Sequence, residues 1–251
     1  MQHDPAFLTV KDQAARLNRQ VKNFEPAQVL EFAMQRSVGN RIALVSSFGA
    51  ESVVLLHMVS LIDPSLPILF IDTQMLFEET LTYQRDVARH LGLSDLRRIR
   101  PNAVDVSDKD PNGTLNVVDK NACCTLRKTN PLQQVLAEFD TWITGRKRFQ
   151  SGIRAELEFF ESDGNRRIKV NPLAHWQPND LQDYIEAHHL PKHPKIAQGF
   201  ASIGCAPCTS PVKDGEDARA GRWRDSDKTE CGIHFANGVA RRQPKIGELS
   251  S

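Results

Sequence analysis

The chain has 251 residues, 40% of them hydrophobic and 25% charged, with a formal net charge of +1. That length supports a sizeable core in one large α/β domain or two small ones. A near-neutral chain has no whole-surface field to attract nucleic acid or anionic membrane, and no apolar run reaches the length of a membrane span.

In chain order, residues 5–22 and 26–37 read as amphipathic helices, with Pro26 suited to a first helical turn and Gly39 to a stop. The opening MQHDPAFLTVKDQAARL lacks a basic stretch followed by an apolar run and a small-residue cleavage site, so a cytoplasmic location is expected. Residues 41–47 form a short apolar run of β type, and a helical stretch at 50–62 leads to a second strand at 66–72. A helix at 77–91 is closed by Gly92, and further extended segments are read at 96–100, 141–144 and 166–173. Residues 178–188, opened by Gln177 and Pro178, form another helix. Apolar runs separated by helices indicate an open, mainly parallel α/β sheet with helices on both faces.

After Cys208 the composition turns polar, and residues 209–230 carry almost nothing to bury. The expected division is an α/β domain over 1–208, with helices 5–37 packed on it, and a flexible arm over 209–251. Cys231 and His234 sit on that arm. A reactive group on a tether suits a part that visits more than one partner.

Five cysteines fall in three places: Cys123 with Cys124, Cys205 with Cys208 in a CxxC spacing, and the solitary Cys231. The first four suit a metal centre. Neighbouring cysteines reach two corners of one zinc tetrahedron poorly, whereas an iron–sulfur cluster offers several irons; zinc stays open, since CxxC is a common zinc half-site. Disulfides would require an oxidising compartment, for which the chain carries no signal.

Two turns follow predicted strands on one sheet edge. Ser46-Ser47-Phe48-Gly49-Ala50-Glu51-Ser52 offers backbone N–H groups and a helix N-terminus to an anion. A Walker loop is absent, and a plain tight turn would explain this segment equally well taken alone. The second turn, Ile71-Asp72-Thr73-Gln74-Met75-Leu76-Phe77, brings Asp72 and Thr73 to the same edge, where open sheets bind ligands. Two such loops together favour a nucleotide site. Arg146, Lys147, Arg148 and Arg154 form a basic stretch that reads either as a solvated face, the usual meaning of so short a run, or as a site for a small, multiply charged anion.

These motifs, with Cys123-Cys124-Thr125-Leu126-Arg127-Lys128, the 143–151 stretch ITGRKRFQS, Ser202-Ile203-Gly204-Cys205, Arg219-Ala220-Gly221-Arg222-Trp223 and Glu230-Cys231-Gly232-Ile233-His234, resemble the assimilatory adenylylsulfate and phosphoadenylylsulfate reductases. The resemblance covers roughly residues 40–235 and is closest to the iron–sulfur branch that acts on adenosine 5′-phosphosulfate. It implies a Rossmann-like fold of the adenine nucleotide alpha-hydrolase type. It also implies a [4Fe–4S] cluster on Cys123, Cys124, Cys205 and Cys208, and Cys231 as nucleophile, with His234 beside it. Thioredoxin or a glutaredoxin-like donor is the implied reductant. Ser46, Ser47, Gly49, Asp72, Thr73, Arg154, Arg219 and Arg222 are then the expected substrate contacts. Lys128, four residues after Cys124, would stand between cluster and substrate. Glu230 disfavours a thiolate at Cys231, so cations elsewhere must help.

The chain departs from that pattern at Gln74, where many members have glycine, and at Phe200, where tyrosine is common. Trp223 is read as packing and His57 as structural. Oligomeric state is left open, a homo-oligomer among the options. The competing readings are a reductase of the 3′-phosphorylated substrate, a tRNA sulfur-transfer enzyme, and a non-enzymatic metal-bearing module that binds nucleic acid. The last is opposed by the small net charge and the few aromatics beside the arginines.

Overall fold

The computed structural model describes residues 8–37, 41–150, 152–224, and 226, 228 and 232. Two helices, α1 (Val10–Gln20) and α2 (Pro26–Arg36), come first. Thr9 caps α1 in a reciprocal box with Asp12, and Pro26 occupies the first turn of α2. Then β1 (Ile42–Ser46), α3 (Ser52–Ile62), β2 (Ile68–Ile71), α4 (Glu78–His90) and β3 (Leu96–Ile99) alternate.

The sheet continues with β4 (Thr141–Ile143), β5 (Phe160–Asp163) and β6 (Arg167–Val170), followed by α9 (Pro178–Ala187). Strand order is β3-β2-β1-β4-β6-β5, parallel throughout except for the β5–β6 pair. The expected mainly parallel sheet is present. The antiparallel edge β5 is an addition that its mixed sequence FESD did not announce.

Alternation along the buried strands feeds two cores. Ile42, Leu44, Ile68, Phe70 and Ile143 face the larger one, with α1, α2, α3, α4 and α9. Ala43, Leu69 and Trp142 face Leu132, Leu136 and Phe139 on the other side. The N-terminal helices do more than cover apolar surface. Asn18 of α1 donates to Phe160 O at 2.9 Å and accepts from Phe160 N at 2.8 Å, occupying the outer edge of β5.

Between β3 and β4 the chain forms α5 (Ala103–Lys109), α6 (Leu115–Val118), α7 (Lys120–Cys124) and α8 (Asn130–Leu136). A π turn, Thr125–Thr129, joins α7 to α8, and Asn130 N–H reaches back five residues to Thr125 O. Pro131 supplies the reason: it has no N–H for Arg127 O, and its ring crowds that carbonyl in a regular helix.

Residues 209–224 pack against the domain, although their composition suggests an unattached arm. Ser210 N–H donates to Gly221 O at 2.9 Å, Trp223 N–H donates to Cys208 O at 3.0 Å, and Trp223 is buried. A Cβ at Gly221 would stand 2.0 Å from Ser210 O, so only glycine permits this approach. One tryptophan and one glycine dock the segment, too sparse a signal for composition to show. Among the described residues, no helix is long and apolar enough to cross a membrane.

Candidate active site

β1 leads to β2 on one side and β4 lies on the other, so the order reverses at β1. A crevice at the carboxyl ends of such strands is where open α/β sheets bind ligands. A cavity of about 260 Å³ lies there, lined by Ser46 at the end of β1, Ser47 after it and Thr144–Gly145 after β4, over apolar walls that include Leu55 and Leu173.

The turn after β1 is held by its own serines. Phe48 N–H donates to Ser46 Oγ at 3.2 Å and Gly49 N–H to Ser52 Oγ at 3.0 Å. Phe48 adopts a left-handed φ of 48°, stabilised by full burial and an edge-on contact with Phe70 at 5.3 Å. A non-glycine residue in that region stores about 1–3 kcal/mol of strain, a pattern common at ligand sites. A Cβ at Gly49 would approach Ile203 O to 3.4 Å, so the turn sits close under the segment carrying Cys205.

The opposite wall is a charged network. Lys147, 3% exposed, places Nζ 2.6 Å from Glu51 Oε2, and Gln150 Nε2 donates to the same oxygen at 3.2 Å. Gln150 Oε1 in turn accepts from Arg154. Burial lowers the Lys147 pKa and Glu51 raises it again, the net shift being downward. Arg219 and Arg222 enter from the docked 209–224 segment. The Arg222 guanidinium lies 4.5 Å from the Trp223 ring and donates to Ile203 O at 3.3 Å. A Cβ on Gly204 would meet that guanidinium at 2.5 Å.

Lys128 lines this cavity and also a smaller pocket lined by Cys123, Cys124, Cys205 and Cys208. The CxxC segment reaches the pocket by pairing with the loop after β2: Leu76 bridges Cys205, Ala206 N–H donates to Met75 O at 2.8 Å, and Thr73 Oγ1 lies 3.2 Å from Cys205 Sγ. All four cysteines are free thiols. Burial and the neighbouring Cys205 push the Cys123 thiol up to about 11, and the same two causes raise Cys208. Crowded thiols oppose one another's ionisation until a bound cation compensates.

Among the described residues, no carboxylate or imidazole lines that pocket, and the cations that do are Lys120, Arg127 and Lys128. Among the described residues, no three His, Cys, Asp or Glu side chains come together as a site for a single metal ion. Arg127 is 5% exposed; Nη2 donates to Asp110 Oδ2 at 2.7 Å and Nη1 to Thr73 O at 3.2 Å. Burial works to raise the Asp110 carboxyl, but Arg127 and the Leu115 N–H reverse this, and its pKa lies below the usual carboxylate value.

The cavity thus gathers Ser46, Ser47, Gly49, Lys128, Arg154, Arg219 and Arg222. Thr73 lies in the cysteine pocket instead. Asp72 faces away: it is 1% exposed, accepts from Arg98 at 2.8 Å and Arg100 at 2.9 Å, and is absent from both linings. The aspartate directly follows β2, and Arg98 of β3 and Arg100 just beyond it hold its carboxylate. Cys231 and His234 lie outside the described residues; nearby, Lys228 Nζ donates to Asn121 Oδ1 of α7 at 2.9 Å, and Gly232 is buried. His57 hydrogen-bonds Tyr184 at 2.9 Å and takes no part in either pocket.

Sequence reasoning read Lys147 only as part of a basic stretch, did not count Glu51 or Gln150 among the substrate contacts, and missed Asp110 as the partner of Arg127. Lys147 and Gln150 stand in the same basic stretch as Arg154, so the signal was present. Asp110 carries none, because only the fold brings it to Arg127.

A relative from Mesorhizobium japonicum named adenosine 5′-phosphosulfate reductase is 46% identical over 227 residues, covering 90% of this chain and 89% of the relative. A protein of the same name from Chelativorans sp. is 44% identical, covering 92% and 94%. Among solved structures, the phosphoadenylyl-sulfate reductase of Candida auris in complex with phosphate superposes with a TM-score of 0.68 at 25% identity, covering 79% of this chain and 96% of that one. An FMN adenylyltransferase from Candida glabrata, at TM-score 0.53 and 17% identity over 86% of this chain and 71% of that one, shares the fold alone. The phosphoadenosine phosphosulfate reductase domain model matches residues 41–211, so the chain belongs to that family.

Proposed function

We propose that the protein reduces adenosine 5′-phosphosulfate to sulfite and AMP, as a step of assimilatory sulfate reduction leading to cysteine, in the cytoplasm. The observation that carries this reading is Lys128, which lines both the cavity at the sheet's switch point and the four-cysteine pocket. A nucleotide site and a thiol-rich site sharing one cation suit a substrate that joins an adenylate to a sulfonyl group. Relatives named for this substrate support the choice over its 3′-phosphorylated form.

In this reading Cys123, Cys124, Cys205 and Cys208 hold a [4Fe–4S] cluster. The donor set fits: four thiols on two segments and a cationic rim, with no carboxylate or imidazole among the described residues that line it. The cluster, when bound, fixes both segments and supplies a local electrostatic field. The remaining chemistry belongs to side chains. The Ser46–Ser52 turn and the apolar walls seat the nucleotide, and Arg154, Arg219, Arg222 and Lys128 neutralise the phosphosulfate. The Cys231 thiolate attacks the sulfonyl sulfur; the S–O bond to phosphate breaks, AMP leaves, and a cysteine S-sulfonate remains. One thiolate of thioredoxin or a glutaredoxin-like dithiol then attacks Cys231 Sγ, and sulfite departs with the electron pair of the S–S bond. The second thiol resolves the mixed disulfide and returns Cys231 as a thiol. Sulfur falls from the sulfate to the sulfite level as the dithiol becomes a disulfide.

The test is sulfite release by anaerobically purified enzyme with thioredoxin, each sulfonucleotide competing with the other. Adenosine 5′-phosphosulfate is the expected preferred substrate, and Cys231→Ser is expected to release no sulfite. Wild-type turnover by that variant would refute the mechanism; a preference for the 3′-phosphorylated nucleotide would refute the substrate.

A further inference from the structure

Asp110 lines neither pocket, yet it terminates a chain of contacts that reaches both halves of the cysteine site. Its Oδ1 accepts from Leu115 N–H at 2.9 Å, fixing the loop between α5 and α6. Its Oδ2 takes Arg127 Nη2 at 2.7 Å and Nε at 3.3 Å. Both side chains are almost wholly buried, at 6% exposure for Arg127 and 2% for Asp110. Arg127 belongs to the π turn that follows Cys123 and Cys124, and its Nη1 donates to Thr73 O at 3.2 Å. Thr73 in turn contacts Cys205 Sγ.

The guanidinium therefore spans from the helix bearing one cysteine pair to the loop on which the other pair is docked. A flexible, singly anchored arginine would not hold that span. Two donors on one carboxylate set the plane of the fork, and burial keeps water from competing. We propose that Asp110 is a positioning residue for the four-cysteine site: by orienting Arg127 it sets the separation of the Cys123–Cys124 and Cys205–Cys208 segments. This rests on the reading of that site as a cluster site. Groups one step removed from metal ligands commonly govern how firmly the metal is kept.

The experiment compares wild type with Asp110→Asn, purified anaerobically. It reads iron per chain, the visible circular dichroism of the cluster, the rate of iron loss to a chelator, and AMP affinity. Asp110→Asn keeps the shape but leaves Arg127 buried beside a neutral amide. Iron is expected to leave about 10–100 times faster, with an altered dichroism and AMP affinity within about twofold of wild type. If the lone variant does not fold, Asp110→Asn with Arg127→Gln removes both buried charges and leaves none unpaired; rapid iron loss with intact AMP binding is again expected. Iron retention and dichroism identical to wild type would overturn the proposal. Equal loss of iron and AMP binding would also overturn it, because Asp110 would then support the fold as a whole. Wild-type protein that takes up no iron would instead refute the cluster reading itself, a result distinct from either.

Discussion

His193 is buried at 1% exposure with both ring nitrogens engaged: Nδ1 accepts from Lys195 N–H at 3.1 Å, which makes Nε2–H the donor to Thr80 Oγ1 at 3.0 Å. Burial first, then nearby Lys195, lowers its pKa from 6.5 to about 4, against the opposing pull of Glu79. Between those two values the unfolded chain binds a proton that the folded chain does not, so stability rises with pH across the window and is lost as pH falls through it. The shift corresponds to at most about 3 kcal/mol. Thermal melts from pH 7 to pH 4.5 should therefore show destabilisation that His193→Asn reduces, since the amide keeps an acceptor for Lys195 N–H and does not titrate. An unchanged pH dependence in that variant would place the loss elsewhere, His57 and His175 being lowered in the same sense by burial. A second residue-scale prediction concerns Gly204, against which the Arg222 guanidinium lies. Gly204→Ala should leave the melting temperature near wild type, because a side-chain tip gives way, while kcat/KM falls roughly 10- to 100-fold. Full activity would show that Arg222 does not act from that position. Gln74 shows how a departure from a family pattern acquires a physical meaning: its φ is 61°, a backbone state that glycine reaches without strain.

At the scale of elements, two devices carry testable consequences. Asn18 pairs both backbone groups of Phe160 on the sheet's outer strand, so α1 closes an edge that would otherwise invite pairing with another chain. Asn18→Ala should lower stability by about 2 kcal/mol, read as a shift of the urea midpoint. A midpoint equal to wild type would mean that water replaces the amide without loss. The π turn is the other device. Pro131→Ala restores an N–H, lets residues 120–136 close as a regular helix, and rotates Lys128 relative to the cysteines by about 100°. That variant should lose kcat/KM, whereas unchanged kcat/KM would show that the π turn has no part in placing Lys128. The elements differed in how plainly they could be read beforehand. Strands β1, β2 and β4 were legible because burial on both faces leaves near-continuous apolar runs. Strand β5 and helices α5 and α6 were not, because FESD alternates weakly and these short helices are held by Asn102 and Asp110 contacts rather than by periodicity.

For the whole molecule, the function rests on one topological fact: the order reversal at β1 opens a crevice into which the turn after β1, the loop after β4 and the docked 209–224 segment all project. Most of its polar lining was legible as motifs, since short loops at strand ends keep their side chains local. Asp72 is absent from the cavity lining because Arg98 and Arg100, 26 and 28 positions away in the chain, take its carboxylate. Asp110 was missed because its partner stands 17 positions away in the chain. In the proposed mechanism four thiols serve a cluster while Cys231 alone takes the sulfonyl group. Mass spectrometry of enzyme quenched during turnover with adenosine 5′-phosphosulfate, without a reducing dithiol, tests it most directly. One added SO₃ group is expected, confined to the peptide containing Cys231. The same mass on Cys123, Cys124, Cys205 or Cys208, with Cys231 unmodified, would contradict it.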